Sequence, residues 1–96
     1  MDRKLSTARV ATGSGRRYMA QLCSHFAHKL PATFDDESGQ LEFPFGACAL
    51  RASPDVLELT VDAADDEALA RMEDVVARHL QRFAFRDPLQ VAWVRG

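Results

Sequence analysis

The stretch 56–62, VLELTVD, restricts the fold of this chain more than any other. Leu57, Leu59 and Val61 alternate with Glu58, Thr60 and Asp62. A period of two puts the aliphatic side chains on one side of an extended strand and the polar ones on the other. A strand of this kind has one dry face and one wet face. That suits an antiparallel sheet covered on one side only. The rest of the chain must then supply an apolar cover.

Two segments have the right period for that cover. In residues 15–30, GRRYMAQLCSHFAHKL, the residues Met19, Leu22, Cys23, Phe26 and Leu30 recur at spacings of three and four. They share one side of a helix, while Gln21, His25 and His28 fall on the other. This first helix should run to about Lys29, with Thr12 or Ser14 capping its start and Pro31 preventing its continuation. The second helix opens among Asp62, Asp65, Asp66 and Glu67, which suit the positive dipole end, and runs to about Phe83. Its apolar stripe is Leu69, Met72, Val75, Val76, His79, Leu80 and Phe83. Shorter alternating runs at 6–12, 32–35, 40–43, 47–52 and 89–93 read as further strands, separated by turns rich in Gly, Pro, Ser and Asp. Residues 1–5 are polar and should fray.

The predicted order is β-α-β-β-β-β-α-β. One-sided helices and one-sided strands have a simple joint solution: an α+β two-layer sandwich, with both helices on one face of an antiparallel sheet. Ninety-six residues make a single domain spanning 1–96. The formal net charge of -2 lacks the basic footprint of a nucleic-acid binder. No apolar run has the length of a membrane span, and MDRKLSTARV has no signal-peptide core. Cys23 and Cys48 form no disulfide or CxxC pattern, which points to reduced thiols and a cytoplasmic protein. The richness in Ala and Arg fits a bacterial source of high GC content.

Three groups of residues have chemical potential. His25 and His28, an i, i+3 pair on the outer face, supply half a coordination shell for zinc or iron. The missing ligand would come from Asp35, Asp36, Glu37 or a second subunit. Set against this is the plain reading of two solvated histidines. Cys23 points away from His28, so one ion cannot take it together with both histidines. His79 sits in the apolar stripe of the second helix and must find a hydrogen-bond partner there. It is either a satisfied core histidine or a member of a buried cluster with the inward Cys48 and Cys23, able to activate a thiol or bind zinc. The aromatic groups Phe43-Pro44-Phe45 and Phe83-Ala84-Phe85 either plug the ends of the core or wall an apolar pocket. Nucleotide-binding and hydrolase motifs are absent.

The segments LCSHFAHKL, FPFGACAL and MEDVVARHLQRFAFRDPL, in that order, resemble domain-of-unknown-function family 2218, a family of small bacterial proteins. The resemblance spans Thr7 to Trp93, and its motifs fall on His25, His28, Lys29, Cys48, His79 and Phe83. It implies no established activity; an association with iron uptake implies metal- or siderophore-related work. Residues and resemblance together give three readings. The first is a protein that binds a metal or small ligand through His25 and His28. The second is a non-catalytic homodimeric interaction module using the histidine face of the first helix. The third is an enzyme using Cys48 and His79.

Overall fold

The computed structural model describes residues 3–96. Strand β1 covers Lys4–Ala11, helix α1 Gly15–Phe26, β2 Ala32–Phe34, β3 Ser38–Phe43, β4 Gly46–Ala52, β5 Val56–Ala63, helix α2 Asp66–Phe83 and β6 Val94–Arg95. The strands form one antiparallel sheet in the order β2-β3-β4-β5-β1-β6. The predicted α+β class and element order both hold. Lys4 and Leu5 belong to β1, so fraying does not reach them; Met1 and Asp2 lie outside the described residues.

The dry face of the sheet is built as the alternation dictates. Leu57, Leu59 and Val61 of β5 are fully buried, together with Ala8 and Val10 of β1 and Leu41 of β3. Met19, Leu22 and Cys23 of α1 and Leu69, Met72, Val76 and Leu80 of α2 close over them in one core. Each fully buried aliphatic side chain contributes about 1.5–3 kcal/mol, so these helices are held mainly by packing on the sheet.

The ends of α2 follow local chemistry. Asp65 is its N-cap, with extended backbone and a carboxylate that accepts from Ala68 N at 2.8 Å. Asp62 is not part of this opening; it lies in β5 and pairs with Arg3. For α1, Ser14 is the N-cap residue, yet its hydroxyl makes no capping bond. Thr12 Oγ1 instead accepts from Ser14 N at 3.0 Å. The helix ends at Phe26, three residues before the expected boundary. Lys29 N and Leu30 N both donate to Phe26 O, at 2.9 Å each. That shared carbonyl tightens the last turn and ends the α-helical register before Pro31.

The last strand is shorter than its pattern suggested. Leu89 is buried and Val91 and Trp93 pack on the core, but 89–93 forms no ladder. Only Val94 and Arg95 pair, opposite Thr7 and Ser6. Alternate burial of side chains does not require a strand neighbour. The segment is held at its end by Glu73, which receives Arg95 Nη2 at 2.8 Å and the Ser6 hydroxyl at 2.7 Å. Those two bonds hold the Glu73 carboxyl below the usual carboxylate range, Arg95 being the larger cause.

Candidate functional site at the helix seam

Helices α1 and α2 lie side by side on the sheet, so each buries a flank as well as an underside. His25 is on that flank of α1. It is half-buried, and its ring centroid lies 5.1 Å from His79 of α2, 5.0 Å from Phe26 and 5.8 Å from Phe83. The outward orientation expected for His25 is therefore not observed. A wheel with one buried side ignores a neighbouring helix. His28 is exposed, in the turn beyond α1. His28 keeps the outward position expected of it.

His79 is likewise not a core residue. It is half-buried at the same seam, 4.7 Å from the Phe26 ring. Its Nδ1 lies 2.7 Å from Val75 O, one turn back on its own helix. A carbonyl only accepts, so Nδ1 carries a proton, and in the neutral ring Nε2 is the nitrogen with the lone pair. The approach of His25 to His79 is the geometry that the sequence reading missed. Each histidine was visible, but nothing local to either helix says that they meet.

An aromatic row continues below the imidazoles. Phe26 is 5.0 Å from Phe43, and Phe43 is 5.6 Å from Phe45, whose face is covered by the Arg71 guanidinium at 4.2 Å. These rings plug the end of the core, as the plainer sequence reading has it. Phe85 stands apart and is 71 % exposed.

Burial holds the His25 imidazolium below the ordinary histidine range, and His79, Lys29, Arg82 and His28 push in the same direction. A cavity of about 390 Å³ borders the seam on the α2 side, lined by Asp74, Val75, Arg78, His79, Gln81 and Arg82. Arg78 is partly neutralised by Asp74 at 3.2 Å. Among the described residues, no three His, Cys, Asp or Glu side chains converge as ligands for one metal ion.

The cysteines take no part in this arrangement. Cys48 is fully buried, and burial together with Cys23 and Asp62 drives its thiol far above the ordinary range. Burial pushes Cys23 up to about 11. The rings near His79 are those of His25 and Phe26. A thiol that is pushed up has little thiolate to serve as nucleophile or ligand. Among the described residues, the Cys48 thiol lies 3.8 Å from Ala49 O and has no hydrogen bond to His79.

Residues 7–94 match a family described as uncharacterized protein conserved in bacteria, DUF2218. The chain belongs to this family. Its fold is similar to the NMR structure of PA4090 from Pseudomonas aeruginosa, with a TM-score of 0.76 and 38% identity over 98% of this chain and 96% of that one. No protein of curated function is significantly similar to the chain. Among the described residues, no helix is long and apolar enough to cross a membrane.

Proposed function

We propose that this member of the family is a small-ligand-binding protein, and that its site is the imidazole seam of His25 and His79. The reading rests on one observation: two half-buried histidines meet between aromatic rings, under a rim of Lys29, Arg82 and His28, with no carboxylate acting on His25. Uncompensated positive potential favours an anionic group. The Phe26 and Phe83 rings offer an apolar wall beside it. The ligand is a small carboxylate or phosphate compound with an apolar part. Its anionic group takes hydrogen bonds from a ring N–H of His25 and from Arg82. The absence of a disulfide between the buried Cys23 and Cys48 supports a cytoplasmic setting.

A second reading has one specific support. His79 donates Nδ1–H to a backbone carbonyl and leaves Nε2 open, the arrangement of metal-bound imidazoles. In that reading His25 and His79 hold zinc or iron, and a second copy completes the shell. The basic rim opposes a divalent cation, so the anion is preferred.

Chemical-shift titration of the labelled protein separates the two. Phosphate and benzoate should move the resonances of His25, His79 and Arg82, with loss of the response in His25→Ala. Zinc binding at stoichiometric level, lost in His25→Ala and His79→Ala, would select the metal reading. No response to anion or metal at the seam would reject both.

A further inference from the structure

The sheet face away from the helices is uncovered, and its side chains are arranged with a symmetry of their own. The register places Ser38, Arg51, Glu58 and Arg9 in one row across β3, β4, β5 and β1. Arg9 Nη1 binds Glu58 Oε2 at 2.6 Å, which leaves the other Glu58 oxygen open. Among the described residues, Arg51 has no carboxylate within ion-pair distance. The outward residues of β4 are Ala47, Ala49 and Arg51; those beside them on β5 are Asp62, Thr60 and Glu58. The small side chains of Ala47 and Ala49 thus lie beside the larger ones of Asp62 and Thr60. The trough over Ala49 belongs to a cavity of about 580 Å³ that Arg51, Glu58, Thr60 and Gln40 border.

We propose that this face binds a second copy of the chain, about a two-fold axis that runs along the strands midway between β4 and β5. Rotation about that axis exchanges the two strands without changing the row. Thr60 of the partner subunit then enters the trough over Ala49. Glu58 of the partner subunit meets Arg51, and both contacts occur twice. The same face also holds Leu5 at 45 % and Val94 at 72 % exposure, two large apolar side chains that water covers in a single copy. Strands about 4.8 Å apart and about 3.3 Å per residue give a face of roughly 25 by 20 Å. Two such faces bury about 1,000 Å² together, the lower limit of a specific interface, so the dimer is weak and forms reversibly. It lies opposite the helix seam and leaves the ligand site open.

The test is sedimentation velocity over a concentration series, with folding checked by circular dichroism. Wild type should move from monomer toward dimer as concentration rises. Arg51→Glu and Glu58→Arg should each weaken association by about tenfold or more, because each sets like charges against each other. An equimolar mixture of the two should recover wild-type association, since the Arg51→Glu copy is acidic at both positions and the Glu58→Arg copy basic at both. Ala49→Arg, which fills the trough and breaks no ion pair, should abolish the dimer. A wild type that stays monomeric throughout would overturn the proposal. So would association unchanged in Arg51→Glu and Ala49→Arg, or folded single variants that fail to recover on mixing.

Discussion

Gly46 opens β4 opposite Phe43, at the point where the chain turns back from β3. A Cβ there would press on the Asp62 carbonyl oxygen and lie 2.7 Å from Met72 Cγ and 3.0 Å from Met72 Sδ. The carbonyl is backbone of β5, held by ladders on both sides, and cannot withdraw. Met72 is fully buried in the core. Gly46→Ala therefore overpacks the core from two directions, and a cost at the upper end of about 1–3 kcal/mol is expected. For a chain of this length, about 4–8 °C of melting temperature follows per kcal/mol. Gly13→Ala is the control: its nearest neighbour would be Pro54 O at 3.9 Å, and its backbone is not left-handed. It should be neutral or gain about 0.4–1 kcal/mol. Urea unfolding of both variants, with the midpoint and slope fitted separately, measures the difference. A Gly46→Ala midpoint indistinguishable from wild type, at unchanged slope, would refute the packing argument.

Four other outcomes are expected. His79→Leu should alter stability by less than about 1 kcal/mol, because its Nδ1 bonds only within its own helix, yet it should abolish anion-induced shifts at the seam; calorimetry and titration of the same sample check both. Because His25 in the folded chain holds its proton less well than in the unfolded chain, its stabilising contribution is complete above the ordinary histidine value of about 6.5. That contribution is lost as pH falls through the lower folded value. Stability followed from about pH 7 to pH 5 should therefore decline less in His25→Gln, and equal slopes would contradict this. Glu73→Ala should cost about 1–3 kcal/mol by leaving the buried Ser6 hydroxyl and Arg95 without their acceptor, and faster amide exchange at Val94 and Arg95 should accompany it. Cys23 and Cys48 should react with a thiol reagent only as fast as the protein opens; a Cys48 that labels quickly in the native state would restore the enzyme reading.

The fold was written in the periodicities because the rule behind them is local. Alternation in 56–62 fixes which side of β5 is dry, whatever stands next to it. Spacings of three and four fix the undersides of both helices, and Asp65 caps α2 through a bond that spans three residues. Even the misjudged 89–93 segment obeyed the rule in burial; only its hydrogen bonding differed, and that depends on β1.

The site was a different matter. Whether His25 faces water or His79 depends on how far apart two helices lie on a sheet, which neither helix encodes. The end of α1 at Phe26 rests on a shared carbonyl that propensity does not foresee. The stillness of Cys48 came from its depth, not from its neighbours in sequence. Sequence alone determined the elements, their order and their apolar sides, because those follow from contacts a few residues apart. Tertiary structure alone decided which histidines meet and which face stays bare, because those contacts join residues that are distant along the chain.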